Sequence, residues 1–289
     1  MQRNHTVLLS VVIAMLACLG LGCSHPKTES AAQVTGLTTG PKPLAVAGLS
    51  PQELTKKINL TSGNILVMQQ DFAGSPVIAR DFGMGQKSNL RDVVIRSFAP
   101  GHSADLEWQL EFKDAAGKNV EQTGSLAGAD LLKAYQMYLP SLWKQGDQTA
   151  LGTGSLWLSS YVYENLTRSK LSTYDFGLLD KTILGYSTSS RTFSDATETL
   201  RAAVEKIIDH TDVYLTKTEG DDVDWPLKIN GVDAKVRVFK AKNWFGEIVV
   251  LDNPQNPLVL KVTMQNRPEF GALNGFLDYE ITGLKDIQG

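Results

Sequence analysis

The stretch Leu227-Lys228-Ile229-Asn230-Gly231-Val232-Asp233-Ala234-Lys235-Val236-Arg237-Val238 decides the fold class. Asn-Gly is a favoured two-residue hairpin turn, because both central residues need positive φ and these two types tolerate it best. After the turn, Val232, Ala234, Val236 and Val238 alternate with Asp233, Lys235 and Arg237. A period of two puts one set on a buried face and the other in water. The same rhythm recurs at Glu247–Leu251, at Leu258, Leu260, Val262 and Met264, and at Leu277, Tyr279 and Ile281. Between them, Asn253-Pro254-Gln255-Asn256-Pro257 interrupts the ladder, since proline has no N–H to donate. The last ~65 residues therefore read as an antiparallel meander.

Upstream, Leu106-Glu107-Trp108-Gln109-Leu110-Glu111-Phe112-Lys113 alternates without error, and Ala115-Ala116-Gly117-Lys118 turns the chain. Further strands are predicted at 64–69, 75–81, 91–98 and 155–164. Helical stripes are fewer. Asp195 and Glu198 stand at capping-box spacing, ahead of Ala196, Leu200, Ala203, Val204, Ile207 and Ile208. A second helix is predicted from about Ala129 to Leu139, ended or kinked by Pro140, and a short one after Ser50-Pro51. Strands cluster and helices are inserted, without a βαβ rhythm. The class is α+β with a predominantly antiparallel sheet, a curved sheet or partly open barrel.

The N-terminus has a different character. Arg3 precedes an apolar run from Val7 to Gly22, broken only by Ser10. About 16 residues fall short of the roughly 20 that span hydrocarbon, which is the pattern of a secretory signal. The run ends in the chain's two cysteines, Cys18 and Cys23. Gly20-Leu21-Gly22-Cys23 resembles the lipobox of bacterial lipoproteins, where the cysteine receives diacylglycerol and palmitate-type acyl chains. Gly20 stands where leucine is usual. Met15-Leu16-Ala17-Cys18 is the rival, with apolar residues continuing beyond it. An ordinary secretory signal with an incidental cysteine is the other reading. A Cys18–Cys23 disulfide would be lost with the signal, and no further ligands accompany the pair for a metal.

The lipobox resemblance implies residues 1–22 as signal and Cys23 as the lipidation site, with more than one acyl chain for durable membrane anchoring. In Gram-negative lipoproteins a residue such as Ser24, rather than Asp, resembles the default for release to the periplasmic face of the outer membrane. From residue 24 to 50 the chain is rich in Ser, Thr, Gly, Pro and Ala without aromatics. It reads as a flexible tether, with an ordered arm as the alternative, spanning ~30 Å as a random coil. Residues 51–289 are the globular part, one domain or two subdomains split near 190. Loss of Arg3 with the signal takes the net charge from −3 to −4, which argues against nucleic acid as a partner.

Chemical motifs are sparse. His102 lies in Pro100-Gly101-His102-Ser103, and His210 ends a predicted helix, where the helix dipole gives a cation a structural reason to sit. Ser141-Leu142-Trp143-Lys144 has the Ser-x-x-Lys spacing of penicillin-binding enzymes but lacks the companion motifs, and Lys181-Thr182-Ile183 has Ile where Gly is required. Gly83-Met84-Gly85-Gln86-Lys87-Ser88 lacks the spacing of a phosphate loop. Asp81-Phe82-Gly83 and Asp175-Phe176-Gly177 read as turns, and Asp221, Asp222 and Asp224 as a solvated loop without calcium-site spacing. No cofactor and no catalytic set is assigned. The segment Gly246–Leu258 resembles one found in uncharacterised bacterial envelope proteins, which implies an envelope address and a β-rich domain. The expectation is a lipid-anchored binding or envelope-maintenance module, whose possible partners are an apolar ligand or an envelope protein. Trp108, Trp157, Tyr161, Tyr163 and Trp225 either line such a ligand site or form ordinary core. A hydrolase with a non-local active site and a scaffold that docks a protein are the alternatives.

Overall fold

A computed structural model describes residues 42–70, 89–113, 118–143, 145–150, 152–176, 214–218, 220, 222–266, 268 and 278–289. They belong to one compact unit, Gly40–Gly289. The lipobox, both cysteines, the predicted strand at 75–81, the predicted helix at 195–210 and the proposed division near 190 lie outside the described residues.

The Asn-Gly hairpin forms as read. Strand β8 (Val223–Ile229) pairs antiparallel with β9 (Val232–Lys242), and Asn230 and Gly231 have φ of 50° and 83°. Strands β10 (Gly246–Leu251), β11 (Val259–Met264) and β12 (Tyr279–Lys285) continue the meander, each antiparallel to its predecessor. The meander then closes. Gly283 and Leu284 of β12 pair in parallel with Lys228 and Ile229 of β8, completing a five-stranded mixed barrel. Pro226 lies on β8 before this seam, where the strand has only β9 beside it, so its missing N–H interrupts no second ladder.

A barrel so small is filled by its own side chains, because diameter grows with strand number and even about eight strands enclose little more than side chains. Val236, Val238, Ile248, Val250, Val262 and Ile281 are all fully buried. Phe239 breaks the alternation of β9, being buried beside Val238 because its ring packs against Tyr163, 5.8 Å between centroids.

The outer flank of β12 carries a second set of strands. In spatial order these are β1 (Ile65–Gln70), β2 (Asn89–Ala99), β3 (Ser103–Lys113), β4 (Asn119–Asp130) and the parallel edge strand β5 (Gly146–Thr149). Val93 and Ile95 of β2 and Leu106, Trp108 and Leu110 of β3 point into the core, while Glu107, Gln109 and Glu111 face outward. On β9's other side lie the short strands β6 (Leu171–Thr173) and β7 (Tyr214–Lys217). One continuous apolar core joins barrel and flanking strands.

The helix predicted after Ser50 is α1 (Pro51–Lys57). Ser50 and Glu53 form a reciprocal capping box with Pro51 in the first turn, satisfying N–H groups that a helix start leaves orphaned. Leu54 and Ile58 are buried, and Asn253 Nδ2 donates to the Thr55 and Ile58 carbonyls at 2.8 and 3.2 Å.

Two predicted elements are corrected. Residues 129–139 are not helical. β4 runs through Asp130, and the chain continues extended between two neighbours, with Met137 N donating to Asp175 O and Gly154 N to Gln136 O, both at 2.8 Å. Pro140 opens a 3-10 turn, Pro140–Leu142, rather than ending a helix. Residues 155–164 are not a strand. Ser159 accepts from the Val162 amide and caps α2 (Ser160–Ser169), which buries Val162, Tyr163 and Leu166. A side-chain cap and one apolar stripe outweigh the β propensity of Tyr161, Val162 and Tyr163.

Candidate functional site

The parallel seam leaves a groove beside it. β12 contributes Thr282–Lys285, the hairpin contributes Lys228, Asn230 and Gly231, and Val67 comes from β1. The tail Asp286–Gln288 and Pro43 complete an open groove of about 700 Å³. Its wall is built by reciprocal bonding. Asn230 N donates to Leu284 O at 2.8 Å, Leu44 N to Ile287 O at 2.9 Å and Gly289 N to Lys42 O at 3.0 Å. Asp286 takes φ of 63°, and its carbonyl accepts from Asn64 Nδ2. This left-handed residue ends β12 and swings the tail alongside residues 42–44.

The lining combines apolar surface from Pro43 and Val67 with two lysines at the rim, and Leu284 and Ile287 lie buried beneath it. Lys285 Nζ lies 3.1 Å from Asp92 and Lys228 Nζ 3.6 Å from Asp233. Both ammonium groups are about half exposed, so these pairs are weak and readily exchanged for another anion. Apolar surface beside two half-exposed cations suits an amphiphile with an acidic head.

A shallower depression of about 440 Å³ lies on the outer face of β2–β5 and includes Asp92, Glu107, Ser125 and Asp147. Its polar groups already satisfy one another or their neighbours: Arg96 bonds Glu107, Lys285 bonds Asp92, and Ser125 Oγ donates to Asp147 at 2.7 Å.

The residues singled out in the sequence are dispersed. Cys23 and His210 fall outside the described residues, as do Asp81, the 83–88 segment, Lys144 and Asp221. His102 is exposed at the β2–β3 turn, its amide donating to Ala99 O at 2.9 Å. Ser141 is buried in the 3-10 turn. The Asp175-Phe176 part of the predicted turn is instead a buried extended segment, bridged to Gln136, with Phe176 against Tyr174 at 5.5 Å. Asp222 pairs with Lys217 and Asp224 with Arg237. Trp108, Trp157 and Tyr163 belong to the core, Trp225 packs against it partly buried, and Tyr161 is exposed. Among the described residues no group of three or more His, Cys, Asp or Glu is placed to hold a metal, and no helix is long and apolar enough to cross a membrane.

Sequence reasoning missed the groove because its halves come from a hairpin and a C-terminal strand more than 50 residues apart, joined by a parallel pairing that leaves no local pattern. The one available signal was Asn230. The segment 246–258 has a structural role here. Asn253 ties down α1, and Asn256 Oδ1 accepts from Trp157 Nε1 at 2.8 Å. No family model, curated protein or solved structure matches the chain.

Proposed function

We propose that this protein is a lipid-anchored envelope module that binds an amphiphile in the groove beside the barrel seam. The observation that carries the reading is the groove itself: about 700 Å³, with Pro43 and Val67 as accessible apolar surface and Lys228 and Lys285 at the rim. The volume falls in the range of small-molecule sites. Apolar contact supplies affinity for the acyl or ring portion, and the two ammonium groups orient an acidic head. Pro43, within the 24–50 stretch read as a tether, lines the same groove.

The test is titration of the full mature chain with dansyl-labelled undecanoic acid, followed by fluorescence. Saturable binding is expected. Thr282→Trp, which fills the groove from β12, should abolish it, and Lys228→Glu with Lys285→Glu should weaken it at least tenfold. No saturable binding to the wild-type chain, or binding indifferent to all three substitutions, overturns the reading.

A further inference from the structure

Arg91 of β2 is 2% exposed, among the apolar side chains of the core. Its Cζ lies 4.6 Å from the Trp108 ring centroid and 5.2 Å from that of Trp143. Those centroids are only 6.3 Å apart, well short of the sum of the two distances, so the guanidinium sits in the angle between two rings rather than sandwiched. Nη1 donates to the Pro140 carbonyl at 2.6 Å, and Nε has no partner. No carboxylate among the described residues pairs with this cation, and burial lowers its pKa to about 9.

The neighbours are also unsatisfied. Gln70 is fully buried on β1, two residue pairs along from the Met68–Arg91 pair and so on the same face, and neither Oε1 nor Nε2 has a partner. Trp108 Nε1 and the Oγ of Ser141, next in sequence to Pro140, are buried without partners as well. Native cores hold few such groups, because an orphaned buried donor forfeits its hydration without a compensating bond. Here Gln70 of β1, Trp108 of β3 and Ser141 of the 3-10 turn contribute them beside Arg91 Nε, on elements that all adjoin a cation with no carboxylate partner among the described residues. The group is rich in donors: the guanidinium, an amide, an indole N–H and a hydroxyl. Trapped water would satisfy the hydrogen bonds but not the charge. An oxyanion does both, and the guanidinium fork matches it bidentately.

We infer that Arg91, Gln70, Trp108 and Ser141 form a buried binding site for a small oxyanion of the carboxylate or phosphate type. It is separate from the groove at the seam, whose lining includes none of these residues.

Equilibrium dialysis of the full chain against labelled acetate and, separately, labelled inorganic phosphate tests this, alongside thermal melting with chloride replaced by either ion at constant ionic strength. A saturable single equivalent and a rising Tm are expected in wild type with at least one ion. Acetate alone assigns a carboxylate ligand and phosphate alone a phosphate, and either supports the site. Arg91→Met removes the charge and should abolish both effects. It is expected to fold, since exchanging a buried unpaired ion for an apolar group is commonly neutral or stabilising. Should it not fold, Gln70→Leu keeps the charge and should weaken binding about tenfold, as expected for one or two lost hydrogen bonds. The site is overturned if neither ion binds wild type saturably, which leaves water as the occupant. It is equally overturned if binding survives unchanged in the folded variants.

Discussion

Asn230 and Ile287 hold each other through two reciprocal hydrogen bonds. Asn230 Nδ2 donates to the Ile287 carbonyl at 2.8 Å, and Ile287 N donates to Asn230 Oδ1 at 3.0 Å. One side chain thereby serves as the first turn residue of the β8–β9 hairpin and as a clasp on the C-terminal tail. Asn230→Ala removes both bonds and places a Cβ residue without local polar support at φ 50°. Each bond is worth ~1 kcal/mol and the left-handed conformation ~1–2 kcal/mol. A loss of about 3 kcal/mol is expected, read as a lower urea midpoint. Asn230→Gly tolerates the φ and should lose only the bonds, so a glycine variant as unstable as alanine would refute this division.

Gly124 of β4 is required by Trp108 of β3. A Cβ at 124 would lie 2.7 Å from two carbons of the indole's six-membered ring and 2.8 Å from the Gly146 carbonyl. The carbonyl belongs to the β4–β5 ladder and cannot withdraw cheaply. Gly124→Ala is therefore expected to destabilise by about 1–3 kcal/mol, in the range of overpacked cores. Adding Trp108→Phe should recover part of that loss, because the offending ring carbons disappear, and a double-mutant cycle in urea measures the coupling.

The hairpin, the alternating strands and α1 were legible because each rests on neighbours in sequence: an Asn-Gly turn, a period of two, and Ser50-Pro51 at a helix start. The seam was not. Lys228–Gly283 pairing is set by how the whole meander twists, and the β12 sequence reads the same in an open sheet or a closed barrel. Residues 129–139 misled for the opposite reason. Leu131, Tyr135 and Leu139 have helical spacing, but the Gln136 and Met137 backbones are claimed by Gly154 and Asp175 from both sides. Tertiary hydrogen bonding overrides local propensity there. The oxyanion cluster was invisible because Gln70, Arg91, Trp108 and Ser141 have no mutual spacing, and Arg91 sits at a position whose strand pattern marks only an inward face.

The lipobox reading of Cys23 makes its own prediction. Metabolic labelling with a clickable fatty acid should tag the wild type and Cys18→Ala but not Cys23→Ala. Label retained in Cys23→Ala and lost in Cys18→Ala would transfer acylation to the earlier cysteine, and no label in the wild type would remove the anchor from the proposed function.

Alkaline pH should unfold the protein through its buried phenols. Burial raises the Tyr279 and Tyr174 hydroxyls well above the ordinary value, with Tyr174 adding to the shift of Tyr279 and Asp175 to that of Tyr174. Burial also raises Tyr163, whose hydroxyl donates to Asp252 Oδ1 at 2.9 Å. Unfolded phenols ionise near pH 10 while these stay protonated. The native state then binds more protons than the unfolded state, so stability is intact below about pH 10 and falls as pH rises beyond it. Tyr174 and Tyr279 each contribute up to ~1.4 kcal/mol per pH unit. Tyr174 separates this effect from general alkaline damage, because its hydroxyl is buried without a partner, whereas Tyr279 donates to the Val259 carbonyl at 3.2 Å. Tyr174→Phe should match or exceed wild-type stability at pH 7, since it removes an unsatisfied polar group. It should also make the decline between pH 10 and 11.5 shallower by about one proton. Urea midpoints across pH 7–11.5 read both effects, and a variant as steep as the wild type would show that Tyr174 ionises in the folded chain.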